Sequence, residues 1–210
     1  VPIHRWGDAS VYSTHASKLF HTGEGGVLVC RDEVLAQRAE RLQNFGLDAD
    51  GVPNEAGVNS KMSEIQAALG LSVLPHVAAE RAARRRLAQR YAQSLSSIAG
   101  LRTFALPADV EHSLQYFAVR MTGAARSDGP TRRDAALNLL AVHNIHARRY
   151  FYPLCSEFPH YRALVSTQRE NLPNAVSAAN EMLCLPFHGG VSDAAQHAIA
   201  ALLAHLDTLT

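Results

Sequence analysis

Val11-Tyr-Ser-Thr-His-Ala-Ser-Lys18-Leu-Phe-His-Thr-Gly23-Glu-Gly-Gly26, running on into Val27-Leu-Val-Cys30, is the stretch on which the reading of this 210-residue chain turns. Ser10 to Thr14 reads as the end of a short strand, and the Gly23 to Gly26 cluster as a turn into a second strand, Val27 to Cys30. Lys18 therefore falls on a tight loop between two strands. The chain carries two lysines, Lys18 and Lys61, against 18 arginines. A residue almost never used here for ordinary surface charge stands beside a Ser/His/Gly-rich loop. Lysine can deprotonate where arginine cannot.

The chemistry that needs a deprotonated amine is imine formation, in which lysine attacks a carbonyl, most often the aldehyde of pyridoxal 5'-phosphate (PLP). The alternative is an ordinary exposed loop lysine.

Several linked motifs bear on that choice. Ser13-Thr-His15-Ala-Ser-Lys18 through Gly23-Glu-Gly-Gly26 resembles the lysine segment of the DegT/StrS family of PLP-dependent nucleotide-sugar aminotransferases. Asn44-Phe-Gly46, Gly57-Val-Asn59-Ser-Lys-Met62 with its continuation to Gly70, and Ala147-Arg-Arg-Tyr-Phe-Tyr-Pro153-Leu follow in the family's order and at similar spacing. The resemblance implies an α/β chain equivalent to the C-terminal part of a PLP-dependent transferase of fold type I, the aspartate aminotransferase-like class. Residues 1–78 would be a remnant of the large PLP-binding domain, with the Schiff-base lysine loop and an interface helix, and residues 79–210 the small C-terminal α/β domain. Family members are about twice as long. The expectation is thus of a fragment or truncated relative, without the phosphate loop, the stacking aromatic and the aspartate that pairs with the pyridine nitrogen, and inactive alone.

Carried over residue by residue, the resemblance makes Lys18 the residue that holds PLP and shuttles the proton. Ser13 becomes a phosphate ligand, its alternative being a strand-end serine, and His15 a cofactor-site residue or a satisfied structural histidine. Asn59 would reach the cofactor phosphate of the neighbouring subunit, which implies a homodimer with shared active sites. A compatible alternative makes Asn59 the cap of a helix opening at Ser60. Arg148, Arg149, Tyr150 and Tyr152 suit a nucleotide sugar, since arginine clamps a diphosphate and tyrosine stacks or hydrogen-bonds a sugar or base. The competing reading is an aromatic loop packed on the core. The implied reaction moves an amino group from an amino acid, usually glutamate in this family, to the keto-sugar of a nucleotide sugar. Such reactions make deoxyamino sugars for cell-surface polysaccharides or glycosylated metabolites. Relatives with histidine in place of the lysine act as dehydratases, so Lys18 favours transamination. The other class is a non-catalytic remnant or interaction module.

Composition narrows the classes further. Apolar residues make up 47% of the chain, and 20 basic against 19 acidic residues leave +1, so neither a nucleic-acid nor a membrane-surface field is expected. No signal peptide and no run of 18 apolar residues is evident, and Cys30, Cys155 and Cys184 suit reduced cytoplasmic thiols better than a disulfide framework. The Arg81, Arg84, Arg85, Arg86 cluster reads as a solvated helix face, and His143 with His146 lacks the companions of a metal site, so no metal is assigned.

The expected elements are a helix from Asp32 to Phe45 ended by Gly46, a Gly/Pro/Asn-rich loop to Asn59, and a helical stretch from Ser60 to Ser97 broken near Pro75. A strand near Gln115 to Met121, a helix from Thr131 to His143 and a short strand around Ile145 to Arg148 follow. The chain then runs through a helix from Pro173 to Met182, the apolar Leu183-Cys-Leu185, and a helix from Ser192 to Leu209. This alternation predicts a small sheet covered by helices.

Overall fold

The computed structural model describes residues 1–105, 107, 109–123 and 130–206, and these divide into two compact units, Val1–Ala78 and Ala79–Thr210. In the first, β1 (Ala9–Ser13) and β2 (Gly26–Cys30) form an antiparallel hairpin whose register runs from Ala9 opposite Cys30 to Ser13 opposite Gly26. Helix α1 (Glu33–Gln43) starts where the Asp32 carboxylate accepts the Leu35 N–H at 2.9 Å, satisfying a donor that the first helical turn cannot. It ends at Asn44, and the chain turns away through positive φ at Phe45 (60°) and Gly46 (76°). Glycine is required at 46 and at its neighbour 57. A Cβ on Gly57 would stand 2.1 Å from the Gly46 nitrogen, and one on Gly46 1.9 Å from the Glu55 carbonyl oxygen.

Helix α2 (Glu64–Val73) opens four residues later than the expected start at Ser60. Ser63 accepts the Gln66 N–H while the Gln66 side chain accepts the Ser63 N–H, and this reciprocal cap sets the start. The cap is therefore Ser63 and not Asn59, which lies outside the helix in a single β-bridge with Asn44. Pro75 acts as expected. A 3₁₀ turn, Leu74–His76, separates α2 from α3 (Val77–Leu95).

The second unit is built on a four-stranded antiparallel sheet ordered β3-β4-β6-β5. Its strands are β3 (Leu101–Thr103), β4 (Phe117–Met121), β5 (Arg148–Arg149) and β6 (Met182–Leu185), with α4 (Arg132–Val142), α5 (Pro173–Glu181) and α6 (Asp193–Ala204) between and after them. Along β4, Phe117, Val119 and Met121 are buried and the alternate residues are not, which is the period of a strand with one face in the core. Leu183, Cys184 and Leu185 of β6 are all buried, so this strand shows no alternation. Leu87, Tyr91 and Leu95 of α3, Leu140 of α4 and Ile199 and Leu203 of α6 complete the core. Side chains of this size contribute about 1.5–3 kcal/mol each on burial.

The second unit also differs from expectation in one strand and in several boundaries. β3 has no counterpart in the sequence reading, because three residues are too short to show a period. The strand placed at Ile145 to Arg148 is Arg148–Arg149, and the last helix runs from Asp193, capped by Ser192, to Ala204; residues 207–210 lie outside the described ones.

Arg133 is 1% exposed, on the inner face of α4. Its guanidinium donates to the Ala179 carbonyl at 2.7 Å, to the Met182 carbonyl at 3.4 Å and to Asp134 at 2.8 Å. Burial alone would raise the Asp134 pKa, but hydrogen bonds from Arg149, Arg133 and Thr131 outweigh it and hold the carboxyl below its usual value. A lowered carboxyl adds stability that is complete above the ordinary carboxylate value and is lost as pH falls through the lowered one. Arg133→Met should cost the second unit about 3 kcal/mol in urea unfolding, because it leaves buried carbonyls unpaired. Asp134→Asn should flatten the loss of stability on acidification, measured by the same titration below about pH 4.

Candidate functional site

The loop between β1 and β2 is closed from within. The Thr14 N–H donates to the Gly25 carbonyl and the Thr22 N–H to the Thr14 carbonyl, both at 2.9 Å. Thr14 and Thr22 are 3% and 4% exposed, and their hydroxyls lie 2.8 Å apart. Thr22 donates its hydroxyl proton to the Glu24 carbonyl at 2.8 Å, the shorter of its two carbonyl contacts. A hydroxyl has one proton, so Thr14 is the donor to Thr22 and the chain runs Thr14 to Thr22 to Glu24. Gly25 fits beside both hydroxyls, since a Cβ there would lie 2.6 and 2.7 Å from them. Gly70 of α2 backs the same point, 2.9 Å from the Thr22 methyl by the same measure. Neither threonine stood out in the sequence. Two hydroxyl residues flanking a Gly-rich turn were the available signal, and only burial gives it meaning.

Within the loop, the Lys18 N–H donates to the His15 carbonyl at 2.9 Å and the His15 N–H to Ser13 Oγ at 3.3 Å. The Ser17 N–H donates to His15 Nδ1 at 3.0 Å. This makes Nδ1 the acceptor, and the proton of the neutral ring sits on Nε2, 3.5 Å from the Glu24 carboxylate. Ser13, His15 and Lys18 are thus gathered on one loop. The Lys18 backbone is fixed, the residue is half-buried, and its Nζ has no hydrogen-bond or ion-pair partner among the described residues.

Lys61 is the opposite case. Its Nζ donates to Asn44 Oδ1 at 2.6 Å and Asn59 Oδ1 at 3.1 Å, and lies 4.4 Å from the centre of the Phe45 ring. Two hydrogen bonds and a cation–π contact give it a structural role. Asn59 is exposed and spends only its carbonyl oxygen on Lys61, so its amide N–H₂ has no partner among the described residues.

The remaining candidates belong to the second unit. The exposed Arg148 guanidinium lies 4.7 Å from the Tyr116 ring, which meets Tyr150 at 5.4 Å and Phe151 at 6.2 Å. Tyr116 and Tyr150 line a cavity of about 360 Å³ with His112, Phe117 and Phe187. Arg149 donates to Asp134 at 2.8 Å and stacks 5.1 Å from the Tyr152 ring, with Arg133 5.5 Å from the same ring. The segment is packed in part and accessible in part. One edge packs, while Arg149 and Tyr152 keep 39% and 51% exposure.

Cys30, Cys155 and Cys184 are free, and burial pushes the Cys184 thiol up to about 11 against the opposing charge of Arg148. Among the described residues no cluster of three or more His, Cys, Asp or Glu side chains is placed to hold a metal ion, and no helix is long and apolar enough to cross a membrane.

Comparison with known proteins gives a consistent result. The model of the DegT/DnrJ/EryC1/StrS aminotransferase family matches residues 2–204. The chain is 38% identical over 189 residues to dTDP-4-amino-4,6-dideoxy-D-glucose transaminase of Shigella dysenteriae, covering 90% of this chain and 50% of that protein. It is 32% identical over 206 residues to GDP-perosamine synthase of Caulobacter vibrioides, covering 93% and 52%. The crystal structure of the aminotransferase TlmJ from Streptoalloteichus hindustanus superposes with a TM-score of 0.84 at 32% identity, over 97% of this chain and 53% of that one. The α/β fold is that of sugar aminotransferases, and the chain spans about half the length of the curated relatives it matches.

Gly25 has φ +151° and no room for a side chain. Gly25→Ala should destabilise the hairpin by about 1–3 kcal/mol, read as faster hydrogen exchange at the Thr14 and Thr22 amides with little change in the second unit.

Proposed function

The chain belongs to the DegT/DnrJ/EryC1/StrS aminotransferase family, and we propose that it forms the lysine-bearing part of an enzyme that transfers an amino group from an amino acid, glutamate by the family's habit, to the keto-sugar of a nucleotide sugar. The observation that carries the reading is the contrast between its two lysines. The Lys61 ammonium is engaged by Asn44, Asn59 and Phe45, whereas Lys18 is a half-buried residue on a fixed backbone whose amine has no hydrogen-bond or ion-pair partner among the described residues. A nucleophilic amine must be free of partners that favour its charged form.

The residues present fit PLP as the cofactor. An unengaged primary amine suits an aldehyde. Ser13 Oγ accepts from the His15 N–H and keeps its own proton to donate, and the Asn59 amide has two N–H groups to donate, both suited to a phosphate. When bound, PLP supplies the aldehyde for amine exchange and a conjugated ring that delocalises the electrons left on the donor's α-carbon. Lys18 Nζ is the attachment point and, once released, the base that takes the proton from that carbon. His15, fixed by Ser17 and Glu24, walls the cofactor site. Arg148, Arg149, Tyr150 and Tyr152 contact the nucleotide sugar: one nitrogen of Arg149 is used on Asp134, and the rest of its fork remains for a diphosphate.

Asn59 serves the phosphate of a neighbouring subunit in a homodimer. The exposed Ile65 and Leu71 on α2, 82% and 72% accessible, supply apolar surface for such an interface. Three free cysteines suit a reducing, cytoplasmic setting.

The test is made on the complete natural gene product. Borohydride reduction in the presence of PLP should fix the label on Lys18. Lys18→Ala should lower glutamate-dependent amination of a nucleotide keto-sugar by about a thousandfold. Label found on Lys61, or activity kept in Lys18→Ala, would overturn the assignment.

A further inference from the structure

The Lys18 amine has no hydrogen bond among the described residues, so its direction follows from the loop backbone that carries it. The turn around Lys18 is held by short-range bonds from the Lys18, His15 and Ser17 N–H groups, and the loop as a whole is closed where its two ends meet, at Thr14 and Thr22. Valine has the shape and strand preference of threonine and would serve equally well if packing were the whole role of these positions. What threonine adds is the directed chain of protons from Thr14 to Thr22 to the Glu24 carbonyl. It ties the near end of the loop to the far end and to the Gly23-Glu-Gly25 turn, whose Glu24 carboxylate faces His15. The geometry points to Thr14 and Thr22 as positioning residues for the Lys18 amine. They touch neither cofactor nor substrate and act through the loop. The inference rests on Lys18 being the reactive lysine.

The direction of donation ranks the variants. Thr22→Val removes the middle of the chain, strands the buried Thr14 hydroxyl and takes away the donor to the Glu24 carbonyl. Thr14→Val removes one donor and leaves the Thr22 to Glu24 bond intact. Thr22→Ser keeps both bonds.

The chain carries its own internal control. Reaction with PLP, borohydride reduction and peptide mapping give the ratio of label on Lys18 to label on Lys61, which is held by separate contacts. The ratio should fall about tenfold in Thr22→Val and about threefold in Thr14→Val, and stay at the unsubstituted value in Thr22→Ser. Urea unfolding run alongside separates a loss of global stability, which would expose both lysines, from a change at Lys18. Should Thr22→Val not fold, Thr14→Val against Thr22→Ser decides. If the unsubstituted chain favours Lys18 and both valine variants keep the same ratio, the positioning role is wrong and the Lys18 reading stands. If the unsubstituted chain favours Lys61, the Lys18 reading itself is wrong.

Discussion

A single buried contact between two hydroxyls governs the candidate site. Thr14 and Thr22 meet 2.8 Å apart at the base of the lysine loop, with Gly25 pressed against both and Gly70 of α2 beneath. Buried hydroxyls are costly unless bonded, and here each has a partner. The two glycines follow from the same constraint, since any side chain at either position would meet the pair within 3 Å. The Gly-rich character of the turn is thus a steric consequence of the threonines as much as a need for positive φ.

The second unit has its own organising group in Asp134. Thr131 caps α4 and bonds Asp134, Arg133 reaches from the same carboxylate to the Ala179 and Met182 carbonyls, and Arg149 arrives from β5. One carboxylate thereby links the start of α4, the junction of α5 with β6, and the strand that begins the aromatic segment. Removing water from so many charged groups is expensive. The arrangement holds because each has specific partners, and the Tyr152 ring between the two guanidiniums adds cation–π attraction.

The two lysines show why residue type alone does not assign chemistry. Both lie in motifs that resemble the same family, and both have oxygen acceptors nearby in sequence. Lys61 is drawn in by the Asn44–Asn59 bridge, which brings two amide oxygens and the Phe45 ring to one ammonium. Lys18 sits on a loop where several polar groups pair with one another: Ser17 with His15, His15 with Ser13, Thr22 with Glu24.

Local rules were legible from the sequence. Asp32 and Ser192 cap the helices that follow them, Pro75 interrupts the helical stretch, and the order of the linked motifs identifies the family, because each depends on neighbours a few residues away or on spacing along the chain. Apolar spacing alone set the α2 start at Ser60, and the reciprocal Ser63–Gln66 cap moved it. β3 was invisible because its three residues gain strand geometry only by pairing with β4. The same holds for the site. The sequence determined that Lys18 stands in a Ser/His/Gly-rich loop. Only the tertiary structure decided that Thr14 and Thr22 are buried together, that Lys61 is engaged and Lys18 is not, and that Arg149 is tied to Asp134. Each of these rests on contacts between residues eight to seventeen positions apart, whose energies depend on burial and on which partner arrives first in space. Neither is written in the spacing of the letters.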